Sequence, residues 1–346
     1  MIDATTYDPK PIAAPSPRRR FRLPPLELDS ADVAGTAAAA RIRRWMAFLM
    51  MGYAGILAIR SGLAGEVPSV TSLLIAAFAL AVYKNVLARF LRDWTLVFAG
   101  LFAYLATGHF QPAFDVGVHY RPQLEVDKLI GFGTVPTIWL QAHLYSGRIG
   151  ILEITSTLVY VSHFVVPLVL GLYLWFGRRG RAFTELMFGI LVMSILADIT
   201  FVLAPTAPPW LAAEHGYLPP VHHIVNGGLM HLHMDALAAA QGNPSNYNIV
   251  AALPSMHVGF PAIALLVLLR HRVPRWVIAL QSFQLGAVVF AIVYTGEHYL
   301  TDALVGVAYA AFALAIVRRG LERVPKKVRG AKASVRVETP VAADSL

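Results

Sequence analysis

The stretch "YTGEHYLTDALVG", residues 294–306, carries His298 and Asp302 four positions apart. On a helix that spacing puts the two side chains on one face, within reach of each other. An ionised Asp302 would accept the proton on one ring nitrogen of His298. That fixes the tautomer and leaves the other nitrogen basic and pointed outward. About 40 residues earlier, "NIVAALPSMHVGF" (248–260) opens an apolar run with Pro254, Ser255 and His257. Pro254 suits a first helical turn, where its missing N–H has no partner to lose. The free N–H groups there, with the Ser255 hydroxyl, offer an anion site at the positive end of the helix dipole. His257 stands one turn in, placed to give or take a proton beside that anion. A phosphate fits this description.

These residues must be positioned by membrane helices. Of the 346 residues, 57% are hydrophobic and 14% charged, with a mean hydropathy of +0.58; soluble domains carry about 25% charged residues. About 20 apolar residues cross a hydrocarbon core of about 30 Å. By that rule eight spans are expected, near 45–64, 67–83, 93–109, 150–176, 182–203, 251–270, 276–295 and 299–317. The fold class is therefore all-α, a polytopic bundle with no secretory signal ahead of its first span, which would act as a signal anchor. The expected organisation is a basic, disordered tail (1–44), two extra helices (45–92), a six-helix core (93–317) and a second basic tail (318–346).

Charge sets the orientation. With the N-terminus cytoplasmic, 25 of the 29 Lys and Arg fall on cytoplasmic segments, and the loop 204–250 has none. That bias predicts both termini inside. It also makes the net charge of +9 a matter of topology, so nucleic acid is not an expected partner. Ten of the twelve histidines fall at the outer face, where the chemistry is expected; His163, mid-span, and His271, on the inner side, do not. Zero cysteines exclude disulfides, thiolate nucleophiles and Cys-based metal sites. The run "HLHMD" (231–235) has metal-like spacing but no second cluster, so a solvated loop is the expectation and no metal site is assigned. His163 and Asp198 within spans read as core hydrogen-bonding groups or as points to watch for transport.

The chain resembles the type 2 phosphatidic acid phosphatase superfamily, and more narrowly its inositolphosphotransferase branch, which includes fungal inositol phosphorylceramide synthase. The resemblance rests on "AALPSMH" (251–257), "GEHYLTDALVG" (296–306) and "LAPTAPPW" (203–210), and more loosely on "DKLIGFGTVPTIWLQ" (127–141) and "SHFVVPLVL" (162–170). It implies a metal-independent, cofactor-free, two-step transfer through a phosphohistidine. His298 would be the nucleophile, Asp302 its orienter and His257 the acid and then the base. Ser255 would hold phosphoryl oxygens, with Tyr299, Lys128 and Arg121 as further candidate substrate-binding residues.

The chain departs from the superfamily in its cations. The phosphatases carry a Lys and an Arg in the first motif and an Arg six residues before the third-motif His; here "LAPTAPPW" has no basic residue and the last position is Ile292. A dianionic monoester would lack its usual clamp, whereas a diester carries one charge. The expected activity is transfer of a phosphoryl-headgroup from a phospholipid donor to a lipid alcohol at the outer face of the plasma membrane. The alternatives are a lipid-phosphate or prenyl-diphosphate phosphatase using water, and a transporter.

Overall fold

The computed structural model describes residues 37–63, 70–106, 117–241 and 248–323. Most of both expected tails, and His109, lie outside them. All regular structure among these residues is helical. Helices α1 (Ala37–Leu63), α2 (Val70–Tyr83) and α3 (Leu87–Ala106) come first. The short α4 (Pro122–Ile130) and α5 (Pro136–Leu144) follow, then α6 (Ile151–Phe176) and α7 (Gly180–Leu203). Three more short helices come next: α8 (Pro209–Glu214), α9 (Ile224–His231) and α10 (Asp235–Gln241). The chain closes with α11 (Met256–Arg270), α12 (Arg275–Tyr294) and α13 (Leu300–Arg323).

Among the described residues α1, α6, α7, α12 and α13 are long and apolar enough to cross a bilayer. Their outer faces stay apolar, with Ile195, Leu203, Leu280, Phe283, Leu304 and Phe312 all exposed. Such a belt suits lipid contact, since lipid tails compete for no hydrogen bonds. The expected spans at 67–83 and 93–109 correspond to α2, with 14 residues, and α3, with 20.

The span expected at 251–270 is the main revision. Its helix starts only at Met256 and has 15 residues, about 22 Å at 1.5 Å per residue. Pro254 therefore precedes the helix, and Ser255 is its N-cap. The backbone before it is tied elsewhere: Ala252 N–H donates to the Thr206 carbonyl and Leu253 N–H to the Thr206 hydroxyl. Non-helical backbone at this depth is tolerated only inside protein, and α11 is enclosed by α6, α7, α12 and α13. Met256 to Ala264, Val267 and Leu268 are all buried.

Helices α11 and α13 run parallel, both starting beside His257 and His298. Both end at Glu185 near the start of α7, a fully buried carboxylate 3.1 Å from Arg318 Nε and 3.2 Å from Arg181 Nε and His271 Nε2. The ends of the bundle thus differ chemically: arginines gather at one, histidines at the other.

The connections at the His257 and His298 end hold five short helices where loops were expected. Three of them, α4, α5 and α8, carry Pro in the first turn, where its fixed φ favours helix initiation.

Candidate active site

The α12–α13 turn presents the central histidine. Gly296 adopts φ +82, a left-handed conformation that disfavours any residue with a Cβ. Glu297 and His298 then donate their N–H groups to the Ile292 carbonyl, at 3.0 and 3.1 Å. The start of α13 is capped from a distance. Asp127 on α4 accepts the N–H of Leu300 and of Thr301, each at 2.8 Å, and the Thr301 hydroxyl. Burial pushes the Asp127 carboxyl above the usual carboxylate range, an effect those three donors only partly offset. Gln141 on α5 donates to the Tyr294 and His222 carbonyls, both at 2.9 Å, holding the other side of the turn.

Helix α11 is brought to α13 by close backbone approach. Ser255 N–H donates to the Asp302 carbonyl at 3.1 Å, and Gly306 lies against the Ser255 carbonyl, where a Cβ would overlap it. His257 and His298 consequently meet, with His257 Nδ1 2.9 Å from His298 Nε2. His298 Nδ1 lies 3.4 Å from Asp302 Oδ2. That oxygen also accepts the Tyr299 N–H at 2.9 Å. A proton on His298 Nδ1 would face Asp302 and leave the lone pair on Nε2. The proton in the 2.9 Å contact then belongs to His257 Nδ1. Asp302, His298 and His257 form one line, a carboxylate followed by two imidazoles.

Behind His257 the structure packs aromatic rings. Tyr160 stacks on it at 4.3 Å between centroids, and His163 lies 4.0 Å away. His163 Nδ1 is bonded to the Tyr160 carbonyl. The intramembrane histidine is thus hydrogen-bonded, as expected, but it also packs against the site.

In front of His298 is a cleft of about 20 Å³, lined by Pro208, Trp210, His223, Asn248, Ile249, Ala251, Ala252 and Glu297. That is room for one water-sized group. Sequence reasoning missed the pair inside it: His223 Nε2 lies 2.6 Å from Glu297 Oε1. The His223 ring stacks on Trp210 at 4.6 Å and 1°. Burial alone would lower the His223 pKa, but Glu297, with a smaller contribution from Glu214, holds it above the ordinary histidine value. Glu297 was legible as the residue before His298; its partner comes from a distant loop and leaves no local signal.

Of the other expected site residues, Ser255 and Tyr299 are fully buried here, and neither hydroxyl has a hydrogen-bond partner among the described residues. Lys128 and Arg121 are placed elsewhere. Lys128 pairs with Glu125 on the exposed face of α4 at 3.2 Å, Arg121 sits over the Tyr217 ring, and neither lines the cleft. Ile292 is fully buried in an apolar cluster with Val225, Leu229 and Val258, so no cation stands there. Among the described residues no three His, Asp or Glu side chains are gathered as a metal ion would need, "HLHMD" included.

Fold and site together define a polytopic helical membrane protein with a His–His–Asp centre at one end of its bundle. The family model described as the PAP2 superfamily matches residues 124–316, more than half of the chain, and the protein belongs to that superfamily. The chain is also 23% identical over 175 residues to the phosphoinositol dihydroceramide synthase of Bacteroides thetaiotaomicron, a match covering 50% of this chain and 57% of that protein. The relative's name agrees with the inositolphosphotransferase branch to which the motifs point. No solved structure matches the chain.

Proposed function

We propose that the protein transfers a phosphoryl-headgroup, such as inositol phosphate, from a phospholipid to a lipid alcohol through a phosphohistidine at His298. The observation that carries this reading is the His257–His298–Asp302 line beside a cleft lined, among the described residues, by no Lys or Arg. A monoanionic diester needs less positive charge than a monoester dianion.

In the first step the Nε2 lone pair of His298 attacks phosphorus, and the bond from phosphorus to the diacylglycerol oxygen breaks. The leaving alkoxide takes the Nδ1 proton of His257, while Asp302 stabilises the charge left on the His298 ring. In the second step His257 takes the proton of the acceptor hydroxyl. That oxygen attacks phosphorus, and the phosphorus–nitrogen bond breaks. Reacting atoms lie about 3–3.5 Å apart before attack, and the departing oxygen needs a hydrogen bond of about 2.7 Å. The two imidazoles, now in contact at 2.9 Å, must separate to admit the phosphoryl group between them. We further assign the site to the extracytoplasmic face of the plasma membrane with both termini cytoplasmic, a reading that rests on the arginine bias.

The test uses purified protein in detergent with headgroup-labelled phosphatidylinositol, with and without ceramide, diacylglycerol or polyprenol. Label appearing in a new lipid, and lost in His298→Ala, supports transfer. Label appearing only in water means hydrolysis of the diester. Release of inorganic phosphate from phosphatidic or polyprenyl phosphates, with no movement of inositol label, would replace this reading by the phosphatase.

A further inference from the structure

The cleft leaves one part of the chemistry unassigned. A phosphoryl anion needs a charge-assisted donor, yet among the described residues the lining holds no Lys or Arg, position 292 is a buried isoleucine, and Lys128 and Arg121 are engaged elsewhere. The lining does hold an ion pair that the two transfer steps do not use. Three elements build it: Glu297 from the α12–α13 turn, His223 from the residue before α9, and Trp210 from α8. The Trp210 backbone N–H donates to the Gly296 carbonyl at 3.2 Å, locking α8 to that turn. The Ile224 N–H bonds the Thr295 carbonyl at 3.3 Å and locks α9 to it as well. The imidazole is thereby clamped flat against the indole, with Nε2 on the carboxylate. Glu297 is only 7% exposed.

We propose that the His223–Glu297 pair is the anion clamp of this site, with protonated His223 donating its Nδ1–H to a non-bridging phosphoryl oxygen held beside His298. Glu297 keeps the imidazole charged, and Trp210 fixes the plane in which it donates. The assignment rests on the reading of the site as a phosphoryl-transfer centre. It also gives that reading a selectivity. The pair is neutral overall, so it offers a directed donor without the surplus positive charge that would favour a dianion. Loss of the His223 proton would leave the Glu297 carboxylate unbalanced in the cleft, repelling any anion. Burial opposes the charge on His223, and the groups that support it are Glu297 in contact and Glu214 at longer range, which a bound anion would join. Each favours the protonated form.

Trp210 supplies a readout independent of turnover, because an imidazolium stacked on an indole quenches its emission. The pH titration of emission, taken as the difference between the protein and Trp210→Phe, reports His223 protonation. The probe is orthovanadate, a mimic of the phosphoryl group in transfer that needs no particular lipid. The proposal expects saturating vanadate to raise the His223 midpoint. Glu297→Gln should lower that midpoint and move the pH at which KM for the donor lipid rises to a lower value. His223→Gln should raise KM on the order of 10- to 100-fold, the worth of a charge-assisted hydrogen bond, with kcat less affected, and His223→Lys should recover part of the loss.

An unmoved midpoint in protein that turns lipid over, or an unchanged KM in His223→Gln, overturns the clamp and leaves the transfer reading standing. A vanadate-dependent midpoint in protein that turns over no phosphoryl lipid overturns the transfer reading alone. Neither a vanadate effect nor turnover overturns both.

Discussion

Asp127 sits on α4 and caps the start of α13, just beyond His298. Its carboxylate receives three donors, the N–H groups of Leu300 and Thr301 and the Thr301 hydroxyl, two and three residues after His298. Asp127→Asn keeps one acceptor oxygen and turns an amide N–H₂ toward a backbone donor. One charged hydrogen bond is lost and one buried N–H is left facing another donor, a cost of about 1.5–3 kcal/mol. The start of α13 then relaxes away from α4. A displacement of about 1 Å at a reacting group costs on the order of 10²-fold in rate. The account therefore expects Asp127→Asn to melt at lower temperature and to lose on the order of 10²-fold in kcat with KM little changed. Asp127→Ala, which leaves all three donors without their acceptor, should be worse in both. Thermal unfolding in detergent and steady-state transfer measured on the same preparations would check this. A variant with full kcat would refute the positioning argument. Lost kcat with an unchanged melting temperature would mean that Asp127 acts on substrate directly.

Asp302→Asn should lose about 10⁴-fold in kcat, because an amide in that place favours the wrong His298 tautomer. His257→Ala should be comparably severe and should accumulate the covalent intermediate less readily, since the leaving alkoxide loses its proton source. Gly306→Ala puts a methyl against the Ser255 carbonyl; the strain of about 1–3 kcal/mol should part α11 from α13 and reduce kcat without touching substrate. The raised pKa of His223 makes the Glu297 pair a pH-dependent brace. Its stabilisation should be fully present below the ordinary histidine value of 6.5 and lost as pH rises through the folded-state value. Glu297→Gln should remove that dependence from a series of melting curves.

The three residues of the central line could be read from the sequence because each announces itself locally. The spacing of four brings His298 to Asp302 although α13 begins only at Leu300, after His298, and Pro-Ser before His257 marks a helix start. Hydropathy located the long helices for the same reason, being a property of each segment alone. The boundary of α11 was misplaced because apolar residues 251–253 satisfy a hydropathy window equally well in extended backbone. Only the pairing of 252 and 253 with Thr206 removes them from the helix. Asp127, His163 and His223 act through partners 74 to 174 positions away, and nothing beside them in the chain reports that. Lys128 and Arg121 were drawn to the site by their charge. Glu125, one turn away, holds Lys128 elsewhere, and the distant Tyr217 ring holds Arg121.

The central claim is that His298 becomes covalently phosphorylated by the donor. The direct measurement is rapid alkaline quench of the purified protein with phosphatidylinositol in the absence of acceptor, followed by proteolysis and mass spectrometry. The account predicts an inositol-phosphoryl adduct on the peptide bearing His298, discharged when acceptor lipid is added and absent in His298→Ala, whose turnover falls by 10⁴-fold or more. Undiminished turnover in His298→Ala, or an adduct on another residue, would contradict it.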